Sequence, residues 1–386
     1  MRHSPRILVA PTCLKGSLSA NDAADILADF LAGYFSDHVE IDVCPVADGG
    51  DDTLAVLQEA DKGYMAQSCT VMGPVSEMTV KAQYLVHPGN KLAVLEAAQA
   101  HGYRLLVERG LAPLSATSYG VGQMLASVIQ RHPDLERIVL ALGGSSSTDG
   151  GLGALQALGV RFLDETGNVI AEPIGGGHLA AIREVQWLPC WPYDGELLIA
   201  TDVHNPLLGE NGTAAVFAPQ KGATQDECRL LDQSLCRVSQ FMQQACGTAY
   251  QDVPGVGAAG GLAYGLLHLP KARIVSGSQW ILDTLGVEDR LQQASLVITT
   301  EGRVDSTTFQ GKAIGQLLEL AGQKPVFIFC GQMQKGLQLP ENVQIFPLVA
   351  LDAELNDIQA AIKQPRPLLE RCLNEANAAI QAVLEL

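Results

Sequence analysis

The pattern of apolar and polar positions changes character twice along the chain. Arg6 to Pro11 is a short apolar run, Ala20 to Phe35 carries apolar residues at helical spacing, and Val39 to Val46 is strand-like before the turn Asp48-Gly49-Gly50. That order predicts a β-α-β opening. Ser17 or Ser19 is placed to cap the helix, with Asp22 and Asp25 in its first turns, where carboxylates suit the positive end of the dipole. The far end repeats the rhythm: Leu296 to Thr300, Val326 to Cys330 and Ile345 to Ala350 read as strands, with Ala313 to Ala321 the clearest helix between them. The middle is richer in glycine and less regular, with strands expected at Val80 to Val86, Lys91 to Glu96, Ile138 to Leu142, Leu197 to Ala200 and Ala214 to Phe217.

β-α-β units at both ends need partners for one sheet, so the economical arrangement is an α/β lobe assembled from both chain ends with the middle inserted as a second lobe. The crossings are expected near residues 65 and 290. A length of 386 residues suits two lobes, and 47% hydrophobic residues supply enough apolar surface to fold without disulfides or structural metal. The nine cysteines are scattered, with neither a C-x-x-C pair nor zinc spacing, which fits reduced thiols. A net charge of −17 argues against nucleic acid and anionic membrane as partners. The apolar run that Pro11 ends is too short for a signal-peptide core, and every longer apolar stretch is interrupted, so a cytoplasmic protein is expected.

Chemistry concentrates in five segments that combine glycine, which lets backbone N–H groups approach oxygen anions, with acids or cations. Lys15, in Lys15-Gly16-Ser17, follows a strand and opens a helix, where phosphate or carboxylate binds; a capped helix with a solvated lysine explains it equally. Asp48 stands at a strand end, where open α/β sheets place ligands, although an ordinary Asp-Gly turn has the same letters. Gly143-Gly144-Ser145-Ser146-Ser147-Thr148-Asp149-Gly150-Gly151 is the best phosphate-loop candidate, with Asp149 the acid nearest the phosphates. Asp202 and Asn205 follow another apolar strand, whereas His204 reads as structural or exposed. Glu301, Arg303, Asp305 and Lys312 lie just past a buried strand and suit a Mg²⁺ and phosphate clamp. Two patterns are set aside. Gly255-x-Gly257-x-x-Gly260 lacks a convincing strand before it, and Gly311-Lys312-Ala313 lacks the rest of a Walker A loop.

In order and spacing these segments resemble the bacterial glycerate kinase family, whose members typically carry A-P-D-S-F-K-x-S-L-S-A, P-V-A-D-G-G-E-G-T, G-G-S-A-T-N-D-G-G, C-D-V-x-N-P-L-x-G followed by Q-K-G-A, and T-G-E-G-R-x-D. The likeness runs from Arg6 to about Gly331. It implies a doubly wound, Rossmann/flavodoxin-like domain from residues 1–64 and 290–386, an inserted mixed α/β domain from 65–289, and an active site in the cleft between them. It also implies ATP-dependent phosphorylation of D-glycerate with Mg²⁺, usually giving 2-phosphoglycerate. Carried over by position, the site takes in Lys15, Asp48, Asp149, Asp202, Asn205, Lys221, Glu301, Arg303, Asp305 and Lys312.

On that basis Asp202 or Asp305 is expected to orient the acceptor hydroxyl, with Lys15, Arg303 or Lys312 neutralising the substrate carboxylate and the moving phosphoryl group. Gly143, Gly144, Ser145, Ser146, Asp48, Asn205 and Lys221 would bind substrate or phosphate, and Glu301 and Asp149 would hold Mg²⁺. The chain departs from the pattern at Thr12 for Asp, Cys13-Leu14 for Ser-Phe, Asp51 for Glu, Thr148 for Asn and Thr300 for Gly. The loss of an acid at Thr12 keeps two alternatives in view: a kinase for another small hydroxy acid, or a sensor of glycerate or nucleotide without turnover. Sequence leaves open both a monomer and a homodimer.

Overall fold

The computed structural model describes residues 4–35, 38–187, 191–306, 308–309, 312–350 and 355–385, without the side chains of 355–357. Gly311, named above, lies outside the described residues. The strands, in chain order, begin with β1 (Arg6–Val9), β2 (Glu40–Val43), β3 (Met65–Met72), β4 (Thr79–His87), β5 (Leu92–Glu96) and β6 (Arg137–Ala141). They continue with β7 (Arg161–Leu163), β8 (Glu184–Gln186), β9 (Glu196–Ala200), β10 (Ala272–Val275), β11 (Leu296–Val304), β12 (Val326–Met333) and β13 (Val343–Pro347).

The chain folds as two compact units, one of Met1–Asp48, Ala55–Ala60 and Ser278–Leu386, the other of Gly49–Leu54 and Asp61–Gly277. In the first unit a five-stranded sheet runs β13-β12-β11-β1-β2, with every pairing parallel. Counted in chain order within the unit this is 2-1-3-4-5, the flavodoxin-like doubly wound arrangement, whose order reverses between β1 and β11. Parallel strands covered on both faces must be apolar throughout, and Leu296 to Thr300 are all buried. One face packs Ile7, Val9, Ile298 and Phe329 against Leu27 and Leu31 of the helix Ala20–Phe35 and Leu373 of the helix Pro365–Leu384. The other packs Leu8, Val297 and Ile328 against Leu282, Val287, Leu291 and Ile314. Residues 278–289, expected in the inserted lobe, thus belong here, because Leu282 and Val287 complete this face. At the start of Ala20–Phe35, Ser19 rather than Ser17 is the cap: the Asp22 N–H donates to Ser19 Oγ at 3.1 Å.

The second unit is built on a six-stranded sheet in the order β10-β9-β6-β5-β4-β3, parallel from β10 to β5 and antiparallel through β4 and β3. Its core runs from Tyr84 and Leu95 through Ile138, Leu140 and Ile199 to Leu262 and Tyr264. The segment Ala214 to Phe217, expected as a strand, is part of the helix Thr213–Phe217. Its apolar residues are too few for periodicity to separate the two states, and Ala214 and Ala218 pack on Leu231 of the following helix Gln225–Cys246. All four parallel strands of this unit end on the same edge, so Glu96, Gly143, Asp202 and Ser276 emerge there together.

Candidate active site

In the first unit the switch point between β1 and β11 is where an open α/β sheet leaves room for a ligand beyond its strand ends. Lys15 comes from the loop after β1, while Glu301 and Arg303 come from the end of β11, with Asp305 just beyond. All four, with Lys312 at the start of the helix Ala313–Ala321, line one cavity of about 380 Å³. Lys15 Nζ lies 3.9 Å from Asp48 Oδ2, and Arg303 Nε lies 3.8 Å from Asp305 Oδ2. Glu301 Oε1 accepts the Gly302 N–H at 3.0 Å. Burial pushes the Glu301 carboxyl up to about 7; the Gly302 bond opposes this, Asp48 adds to it, and Lys15 and Lys312 draw it back. The structure therefore gathers Lys15, Asp48, Glu301, Arg303, Asp305 and Lys312 into one group.

Thr12 sits just upstream and is buried. Its hydroxyl donates to the Thr300 carbonyl, and the Thr300 hydroxyl donates to the Thr12 carbonyl. Thr299 Oγ1 adds a bond of 2.7 Å to the Ala10 carbonyl. Two positions at which the chain departs from the resembled pattern are thus each other's partners, fastening the loop after β1 to β11 immediately before Glu301.

In the second unit, Asp202 Oδ1 accepts from Ser276 Oγ at 2.8 Å at the sheet edge. Asn205 Nδ2 donates to the Asn211 carbonyl at 2.8 Å, so its amide shapes its own loop, and His204 is exposed. The loop after β6 differs from expectation. Only Gly143 and Gly144 reach solvent to any extent; Ser145 to Gly151 are buried. Ser146 Oγ donates to the His101 carbonyl at 2.7 Å, Ser145 Oγ accepts from Lys221 Nζ at 2.9 Å, and Lys221 also donates to the Ser147 carbonyl. Ser145, Ser146 and Lys221, expected to touch substrate, bond to one another or to the His101 and Ser147 carbonyls, because the loop must satisfy its donors internally once buried.

Asp149, expected to hold Mg²⁺, is fully buried, with Oδ2 accepting the Ser118 N–H and hydroxyl at 2.7 Å each. Its Oδ1 accepts the Gly151 N–H at 3.1 Å and Ser147 Oγ at 3.3 Å. Burial raises its proton affinity, against the Ser118 and Gly151 donors and the Lys221 charge. Burial likewise pushes Lys221 down to about 7, with Asp149 opposing, and the wholly buried His101 down to about 3. This is a framework for the loop.

Behind it lies the Gly255-x-Gly257-x-x-Gly260 pattern. Ala259, Gly260 and Gly261 turn left-handed at φ 53°, 73° and 83°, and a Cβ on Gly260 would stand 1.9 Å from the Ser147 carbonyl oxygen. The glycines let two backbones touch, which gives the motif a packing role.

Sequence reasoning missed Glu96, His101 and Ser118. Glu96 ends β5 and is buried, its carboxylate accepting the Leu54 N–H at 3.0 Å and Gln99 Nε2 at 3.2 Å. The strand-end reasoning that found Asp48 and Asp202 would have found it; His101 and Ser118 carry no comparable signal.

The glycerate kinase family profile matches residues 7–381. Among curated proteins, the chain is 33% identical to a glycerate kinase of Halalkalibacterium halodurans, over 95% of each chain. It is 34% identical to the glycerate kinase of Haemophilus influenzae, over 93% of this chain and 94% of that one, and 34% identical to the glycerate 2-kinase of Escherichia coli, over 85% of each. Among solved structures, a crystal structure described as glycerate kinase 2 from Salmonella typhimurium superposes with a TM-score of 0.77 at 30% identity, covering 98% of this chain and 100% of that one.

Proposed function

Because the chain belongs to the glycerate kinase family and is a kinase, we propose that it transfers the terminal phosphoryl group of ATP to the 2-hydroxyl of D-glycerate. The observation that carries the reading is the meeting of Lys15, Glu301, Arg303, Asp305 and Lys312 in one cavity at the sheet's switch point. Phosphoryl transfer asks for this mixture: cations to offset charge on the moving oxygens and a carboxylate to receive the hydroxyl proton. The position of transfer follows the relative from Escherichia coli, which is named a glycerate 2-kinase.

Among the described residues no cluster of three or more His, Cys, Asp or Glu side chains forms a full metal cage. Mg²⁺ needs none, since it keeps several waters and takes one or two carboxylates plus substrate phosphates. Asp48 and Glu301 fit that requirement: both offer oxygen, and the Asp48 charge raises the proton affinity of Glu301. Mg²⁺ held there would spread the charge of the ATP phosphates. Lys15, Arg303 and Lys312 act on the same charge from the protein side. Asp305 is the carboxylate of this cavity assigned to the acceptor hydroxyl. Replacing it by Asn is expected to lower kcat about 100-fold or more, the usual worth of a general base. Asp149 and Lys221 bond within the loop after β6 and its neighbours.

The test incubates the protein with D-glycerate, ATP and Mg²⁺ and reads the phosphate position by phosphorus NMR. A 2-phosphoglycerate signal is expected. A 3-phosphoglycerate signal would sink the 2-hydroxyl assignment, transfer only to another hydroxy acid in a panel would redirect the substrate, and glycerate binding with no product would favour a sensor.

A further inference from the structure

The cavity at the switch point is too large for a three-carbon acid. Its volume of about 380 Å³ holds roughly a dozen waters at about 30 Å³ each, within the range that begins at about 300 Å³ for pockets of drug-sized ligands. Its walls are also of two kinds. Lys15 comes from the loop after β1, Arg303 from β11 and Lys312 from the start of the helix Ala313–Ala321, while Leu348, Ile358 and Ala361 form an apolar wall from the end of β13 and the helix Leu355–Lys363. Glycerate has no apolar face to match that wall; a purine does.

Two further features point the same way. The N-cap residue of Ala313–Ala321, the cavity-lining Lys312, makes no side-chain capping hydrogen bond, and the helix's opening N–H groups add positive potential where phosphates would sit. The Ser17 hydroxyl, from the loop carrying Lys15, donates to the Ile362 carbonyl at 2.9 Å, tying the cationic loop to the apolar wall.

We propose that this cavity is the nucleotide subsite. The purine lies against Leu348, Ile358 and Ala361, and the phosphates run toward Lys15, Lys312 and Arg303. The assignment rests on the kinase reading above and adds the location of the donor nucleotide within the first unit. It leaves glycerate the smaller demand, contacts to a carboxylate and a hydroxyl that need no apolar wall.

The experiment measures ADP binding to the whole protein by titration calorimetry, with and without Mg²⁺, alongside steady-state KM values for ATP and D-glycerate. Ala361→Phe, which fills the apolar end, is expected to weaken ADP binding and raise the ATP KM at least tenfold while changing the glycerate KM less than twofold. Ile358→Ala, which removes contact without adding bulk, is expected to weaken ADP binding several-fold and carries the same test should Ala361→Phe fail to fold. Unchanged ADP affinity in a variant that melts like the parent overturns the assignment, as does a rise in the glycerate KM alone. If the parent binds ADP, the variants weaken it and no phosphoglycerate forms, the subsite stands and the glycerate kinase reading falls. If product forms but neither variant alters ADP binding, the reverse holds.

Discussion

Asp149→Asn isolates what holds the loop after β6, because it changes charge and hydrogen-bond sense with almost no change in volume. In the parent, each carboxylate oxygen faces one backbone N–H and one hydroxyl: Ser118 on Oδ2, and Gly151 with Ser147 on Oδ1. An asparagine keeps one oxygen. Its amide nitrogen must then face the N–H of either Ser118 or Gly151, and while a hydroxyl can turn to accept, a backbone N–H cannot. One buried donor is left without a partner, at about 1–3 kcal/mol. Losing the negative charge that supports the buried Lys221 adds to this, for a total of about 2–4 kcal/mol. Asp149→Ala, which strands every donor, is expected to cost about 3–5 kcal/mol. Equilibrium urea unfolding gives the stability change, and hydrogen exchange at the Ser118 and Gly151 amides shows whether the loss is local. A change below about 0.5 kcal/mol with those amides still protected would refute the argument that this carboxylate is a structural anchor.

Gly260→Ala places a methyl group 1.9 Å from the Ser147 carbonyl oxygen at a φ of 73°, so a loss of more than about 3 kcal/mol is expected in the same unfolding assay. Glu301 holds its proton to about 7 when folded against an ordinary value of 4.5. The folded state thus binds more protons between those values, and stability should fall as pH rises from about 4.5 to about 7, a slope that Glu301→Gln should remove. Lys221 gives the opposite sign: folded at about 7 against an ordinary 10.5, it is neutral where the unfolded lysine is charged. Stability should therefore rise between about pH 7 and 10.5, and Lys221→Met should flatten that limb while loosening Ser145 and the Ser147 carbonyl, read by thermal melts across pH.

The β-α-β rhythm at both ends was legible because a parallel strand buried on two faces must be largely apolar, as Leu296 to Ile298 are, while its helix alternates. The sequence also marked Lys15, Asp48, Glu301, Arg303, Asp305 and Lys312, since each lies at the end of a strand or after one, and strands of a parallel sheet all end on one side. Short runs without a long period were not legible: Ala214 to Phe217 has the composition of a strand and the packing of a helix.

What sequence could not decide was whether a polar residue in a promising loop faces a ligand or its own chain. Ser145, Ser146, Asp149 and Lys221 have the chemistry of a phosphate site, yet once buried they pair with each other and with His101, Ser118, Ser147 and Gly151. The same holds for Thr12 and Thr300, far apart in sequence and joined only when β1 and β11 become neighbours. Strand and helix identity follow from local spacing, which a chain carries in its letters. The partner of a buried hydrogen-bonding group depends on which distant backbone arrives beside it, and that is settled only by the packed sheet.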